Sequence, residues 1–239
     1  MNGLIALLGS GEYLPVMDDV DRHLLDSVNV NGRAPRVVCL PTAAGQEGEE
    51  SVNRWSDMGV THFQRLGAEV QPAFVIDSDS ANDPKWASLL EDADLIYFSG
   101  GNPTYLLETM RGSLAWDAAE KAWGRGAVFA GCSAGAMILA QKVPNFRVAG
   151  LKAKPGFQVI PPLYVLPHFD RMRGMFSALL FTYRRALKDD EYILGIDENT
   201  ALVGKAGLVW TVMGQGKAHI ITRDDMKEVP AGESLSLQI

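Results

Sequence analysis

Gly131-Cys132-Ser133-Ala134-Gly135 is the segment of this 239-residue chain whose residue types and spacing suggest chemistry. It is a G-x-S-x-G pattern between apolar Ala127-Val128-Phe129-Ala130 and helix-forming Ala134-Gly135-Ala136-Met137-Ile138-Leu139-Ala140, which reads as a nucleophile on a strand-to-helix turn. Small residues on either side let the backbone reverse tightly, so the hydroxyl projects at the carboxyl end of the strand, where open α/β sheets keep their ligands. Free N–H groups at the helix start favour a developing oxyanion, and that of Ala134 is the natural first donor. A frame shifted by one residue centres on Cys132, so a thiol nucleophile remains an alternative, its other role being a packed strand-end thiol. Glycines at both flanks favour Ser133.

A serine hydroxyl is a weak nucleophile without a base to take its proton. Four histidines are available: His23, His62, His168 and His219. His23 and His62 fall in helical patterns ahead of the serine and His219 in the terminal β region, as ordinary surface or packed residues. His168, in Leu166-Pro167-His168-Phe169-Asp170, follows an extended apolar segment and opens a helix, which places it on a strand-end loop. The imidazole needs a carboxylate to orient it and stabilise its charged form. Ile196-Asp197-Glu198-Asn199 lies between apolar strands, with Glu198 the first choice and Asp197 the reserve. The chain order Ser133, His168, Glu198 differs from the serine, acid, histidine order of α/β-hydrolases.

Gly100-Gly101-Asn102 closes another apolar strand, where the glycines would let a backbone N–H approach a reacting carbonyl as second oxyanion donor and Asn102 could contact substrate, the competing role being a simple strand-to-helix turn. Arg171 and Arg173 could clamp a substrate carboxylate with a guanidinium fork, as could Arg184 and Arg185; the competing role for all four is the wet face of a helix. The dispersed histidines and the lack of H-E-x-x-H or paired C-x-x-C argue against a metal. Gly9-Ser10-Gly11-Glu12 resembles a dinucleotide loop only until position 14, which is leucine rather than glycine. No cofactor is expected.

The elements that must hold these groups alternate along the chain. Strands are predicted over 3–9, 36–40, 70–76, 94–98, 127–130 and 192–196, an extended stretch over 159–166, and helices near 17–28, 104–110, 113–123 and 171–187. Glycines 204, 207, 214 and 216 suggest a small C-terminal β ribbon. The pattern predicts an α/β fold, a parallel sheet flanked by helices in three layers, formed by one domain over 1–239. A net charge of -7 with scattered Lys and Arg excludes a nucleic-acid footprint. The short, non-basic apolar start argues against a signal peptide, and no run is long enough to span a membrane. Cys39 and Cys132, the two cysteines, fit buried thiols in a reducing compartment, so a cytoplasmic protein, monomer or homodimer, is expected.

Phe98-Ser99-Gly100-Gly101-Asn102-Pro103, the serine turn, Pro167-His168-Phe169 and Gly195-Ile196-Asp197-Glu198-Asn199-Thr200-Ala201-Leu202 together resemble the serine peptidase family of dipeptidase E and cyanophycinase. The resemblance implies a class I glutamine amidotransferase-like fold and cofactor-free hydrolysis of peptide bonds at aspartyl residues of small peptides. It maps the nucleophile to Ser133, the base to His168, the acid to Glu198 and the oxyanion donors to Gly101 and Ala134. Two departures bear on substrate. Leu166-Pro167 stand where cyanophycinase-like sequences carry Asp-Gln, with Arg171 and Arg173 out of register. Ala134 to Lys152 holds no Asp or Glu, whereas dipeptidase E places its acid soon after the serine. Cyanophycinase-like or isoaspartyl hydrolysis, a Cys132-dependent amidotransferase-like enzyme, and a non-catalytic binding module are the competing expectations.

Overall fold

The computed structural model describes residues 2–144, 153–175, 177–205 and 208–237, with the side chains of 173–179 outside that description. The first half runs β1 (Ile5–Leu8), α1 (Asp18–Asp26), β2 (Arg36–Leu40), α2 (Glu49–Arg65), β3 (Glu69–Pro72), α3 (Ser78–Ala81), α4 (Pro84–Glu91) and β4 (Leu95–Phe98). It continues with α5 (Pro103–Met110), α6 (Leu114–Arg125), β5 (Val128–Cys132), α7 (Ala134–Met137), β6 (Lys142–Pro144), β7 (Ala153–Pro155) and β8 (Tyr164–Leu166). The last part comprises α8 (Phe169–Met175), α9 (Ser177–Arg185), β9 (Ile193–Ile196), β10 (Thr200–Gly204), β11 (Val209–Gly214), β12 (Lys217–Ile221), β13 (Met226–Pro230) and β14 (Ser234–Ser236).

The main sheet has the order β14-β11-β10-β1-β5-β4-β2-β3. Its β1, β5, β4, β2 and β3 are parallel, and β10, β11 and β14 continue it antiparallel. Strands buried on both faces read as continuous apolar runs because alternate residues serve two cores. Ile5, Leu7, Val38, Leu40, Ile96, Phe98 and Phe129 face one core, which α5 and α6 cover with Leu106, Leu107, Met110, Trp116 and Ala119. Ala6, Leu8, Val37, Cys39, Leu95, Tyr97, Val128 and Ala130 face the other, covered by Val20 and Leu24 of α1 and Phe63 of α2. This is the three-layer arrangement the sequence predicts.

A second sheet, β13-β12-β9-β8, stands beside the first. Val165, Leu194, Ile196, Ala218 and Val229 pack one of its faces into the larger core. Leu166, Phe169, Tyr183, Leu187 and Ile193 form a smaller cluster on the other, with α8 and α9. The strands expected as a C-terminal ribbon are therefore divided: β10, β11 and β14 extend the main sheet, while the β12–β13 hairpin completes the second. The extended stretch over 159–166 is regular strand only at β8. β3 is shorter than expected and ends at Pro72, although Ala73 N still donates to Cys39 O at 2.9 Å; the helix expected over 171–187 is described as α8 and α9, on either side of residue 176, which lies outside the described residues.

Candidate active site

The carboxyl ends of β1, β4 and β5 and the segments that follow β8 and β9 converge. β5 delivers Ser133, which holds φ 49° and ψ -106° while its N–H donates to Leu8 O at 3.0 Å. Such a sharp turn is sterically costly for a residue with a side chain, about 1–3 kcal/mol. Both glycines of the motif are required by close approach. A methyl group at Gly131 would overlap the backbone of Gly135, and one at Gly135 would overlap Phe98 O. The turn aims the hydroxyl away from β5 and starts α7, whose first N–H groups have no intrahelical carbonyl to reach. That of Ala134 has no acceptor among the described residues.

His168 lies past β8, also at positive φ (51°), with its N–H donated to Gly9 O at 3.2 Å. Its Nε2 is 3.2 Å from Ser133 Oγ and its Nδ1 is 2.9 Å from Glu198 Oε1. Glu198 follows β9; its other oxygen accepts from Arg171 Nε at 3.2 Å, and its backbone N–H donates to Asp170 Oδ1 at 2.9 Å. The bond from His168, aided by the positive charge of Arg171, holds the Glu198 carboxyl below the ordinary glutamate range. A carboxylate thus faces one imidazole nitrogen and a serine hydroxyl the other.

Gly101 (φ 139°) ends the loop after β4; a methyl group there would stand 2.5 Å from Ala43 O. The N–H groups on either side of it are taken, Gly100 N by Glu12 Oε1 at 3.0 Å and Asn102 N by Ala43 O at 2.8 Å. The Gly101 N–H between them has no acceptor among the described residues. Asn102 caps α5, its Oδ1 accepting from Thr104 N and Tyr105 N, and its Nδ2 donates to Gln46 Oε1 at 3.2 Å. Arg171 is 74% exposed, so its guanidinium can reach a ligand while its Nε stays on Glu198. The side chain of Arg173 lies outside the described residues.

Asp197 takes no part in this chain of bonds. Its Oδ1 meets Nε2 of the buried His219 at 2.8 Å and its Oδ2 accepts Lys217 N–H at 3.0 Å, so it ties β9 to β12. His219 packs against Phe169, ring centroids 4.6 Å apart. His62 is likewise buried, 2.7 Å from Asp21 Oδ2. The thiol frame fares poorly: Cys132 is fully buried and donates to Glu12 Oε2 at 2.9 Å. Burial, reinforced by the Glu12 charge, pushes its thiol well above the ordinary cysteine range, away from a reactive thiolate. Both cysteines are free. Glu12, which touches both the glycine loop and the serine turn, belongs to no motif; its one sequence signal is a carboxylate in the turn after the first strand. Among the described residues no three His, Cys, Asp or Glu side chains converge as a metal site.

A hydroxyl, an imidazole and a carboxylate in line at the strand ends of a helix-flanked sheet mark the class of serine-type hydrolases. Comparison with known proteins narrows it. The chain belongs to peptidase family S51, whose model matches residues 5–209, and it is a serine-type peptidase. Among solved structures it is similar to a peptidase from an acI-B1 Actinobacterium, with 38% identity and a TM-score of 0.90 over 99% of this chain and 97% of that one. A protein from Listeria monocytogenes EGD-e described as a peptidase E shares the fold at 16% identity and a TM-score of 0.61, over 97% of this chain and 100% of that one. No curated protein matches the chain.

Proposed function

We propose that the chain cleaves small peptides at aspartyl residues through a Ser133-His168-Glu198 triad, without a cofactor. The observation that carries this reading is the unbroken line from Ser133 Oγ through both nitrogens of His168 to Glu198, with contacts of 3.2 and 2.9 Å. As Oγ attacks the scissile carbonyl, Nε2 takes the hydroxyl proton and the imidazolium is stabilised by Glu198. The N–H groups of Gly101 and Ala134 receive the charge that develops on the carbonyl oxygen. Nε2 then gives its proton to the leaving amine, and a water activated by the same nitrogen releases the acyl group from Ser133.

The exposed Arg171 guanidinium, anchored by Nε to Glu198, supports an acidic substrate, since its remaining N–H groups suit a carboxylate. Arg173 belongs to the same proposal through its place on α8. Asn102, whose Nδ2 has a second N–H beyond the one given to Gln46, is proposed to meet a substrate carbonyl. The buried, protonated Cys132 weighs against a thiol-based enzyme.

Digestion of a dipeptide library containing α- and β-linked aspartyl members tests the reading. Wild type is expected to split Asp-Xaa members into free aspartate and Xaa, Ser133→Ala none, and Arg171→Gln to lose preference for acidic over neutral members by about 1.5–3 kcal/mol in kcat/KM, the worth of a hydrogen bond to a charged group. Cleavage confined to β-linked members would favour an isoaspartyl peptidase. Equal turnover by Ser133→Ala would end the serine reading.

A further inference from the structure

The turn after β1, Gly9-Ser10-Gly11-Glu12, touches every segment that carries a proposed catalytic group. Gly9 O accepts from His168 N at 3.2 Å, and Ser10 Oγ accepts from Asn199 N at 3.2 Å, next to Glu198. Leu8 O, at the end of β1, accepts from Ser133 N. Glu12 makes the remaining two links with one carboxylate: Oε1 takes Gly100 N–H at 3.0 Å and Oε2 takes the Cys132 thiol at 2.9 Å. A methyl group at Gly100 would lie 2.7 Å from Glu12 Oε1 and 3.4 Å from Ser133 Cβ, so Glu12 and the nucleophile flank the same glycine.

We propose that Glu12 is a positioning residue of the peptidase, a carboxylate clamp that fixes the Gly100-Gly101 loop against the Ser133 turn; this rests on the serine reading above. Two adjacent glycines form the backbone segment with the most conformational freedom at the site, yet an oxyanion donor acts only if it is aimed before the charge appears. Ala43 O holds the loop on the Asn102 side and Glu12 holds it on the Gly100 side, which leaves the Gly101 N–H between two anchored neighbours. The second oxygen sets the spacing, because Cys132 immediately precedes the nucleophile on β5. Glu12 also occupies the thiol proton and so keeps sulfur out of the reaction next to a reactive oxygen. Its action runs through the loop and the turn, not through substrate.

Saturation labelling with a fluorophosphonate probe separates this role from simple support of the fold. Glu12→Ala is expected to lower the limiting labelling rate by about tenfold or more with the half-saturating probe concentration within about twofold, a fraction of the 10²–10³ for losing a whole oxyanion donor. Glu12→Gln has an acceptor for Gly100 N–H and an amide that the Cys132 sulfur can accept from, so it is expected to stay within about threefold of wild type. Should Glu12→Ala fail to fold by circular dichroism, Glu12→Asp, one methylene too short to reach both partners, takes its place with the same expectation. A folded Glu12→Ala or Glu12→Asp that labels at the wild-type rate, or a folded Glu12→Gln as slow as Glu12→Ala, overturns the clamp. Ser133→Ala labelling like wild type would overturn the serine reading itself, a result independent of what the Glu12 variants do.

Discussion

Ser133 carries its function at a conformational cost. Its φ of 49° belongs to the region where glycine is unstrained, so Ser133→Gly is expected to raise unfolding stability by about 1 kcal/mol in urea titrations while abolishing turnover. A variant less stable than wild type would show that the turn is not strained. Glu198 offers a second test. Since folding lowers its titration point, through His168 first, its contribution to stability is complete above the ordinary glutamate range and is lost as pH falls through the lowered value. Wild type should therefore lose more stability on acidification than Glu198→Gln. The same substitution leaves His168 without its anionic partner and is expected to lower kcat/KM by roughly 10²–10⁴. Cys39, pushed up to about 12 by burial, and Cys132 should both resist iodoacetamide at neutral pH until the chain is denatured.

Helix starts and strand ends place these groups, and most were legible because their signals are local. The G-x-S-x-G turn was readable since Gly131 and Gly135 are each needed where backbone meets backbone. Asn102 carries a second role that the sequence did not reveal. Beside a glycine pair it reads as a substrate contact; in the fold its Oδ1 also satisfies two N–H groups at the start of α5. Asn102→Ala is expected to cost about 1 kcal/mol of stability and Asn102→Asp much less, because aspartate caps as well as asparagine; thermal melts of the pair measure this. What α8 and α9 pack against was not legible, since a helical pattern does not reveal which sheet it covers.

At the scale of the molecule, the main parallel sheet was written in unbroken apolar runs such as Leu95-Ile96-Tyr97-Phe98, but the allocation of the C-terminal strands was not. Glycines announce turns between β10 and β14 without saying which sheet each strand joins, a choice made by long-range pairing such as Ile5 with Gly204 and Ala218 with Ile196. Likewise Asp197 and Glu198 are adjacent carboxylates whose partners, His219 and His168, are assigned only by the fold. Glu12 escaped because its two partners lie 88 and 120 residues away. That allocation has a functional result: Ser133 and Gly101 ride on the main sheet, whereas His168 and Glu198 follow β8 and β9 of the second.

The outer face of that second sheet rests on the smaller apolar cluster with Phe169, Tyr183 and Leu187, and cooperative units with less buried surface open at lower free energy. Because Val165, Leu194 and Ile196 hold the sheet itself in the larger core, gentle heating would loosen the helices over that cluster first, freeing the Arg171 guanidinium from Glu198 while the hydroxyl, imidazole and acid stay in line. Selectivity for acidic over neutral dipeptides should then fall at temperatures below the main melting transition, with turnover of neutral members retained, and return on cooling.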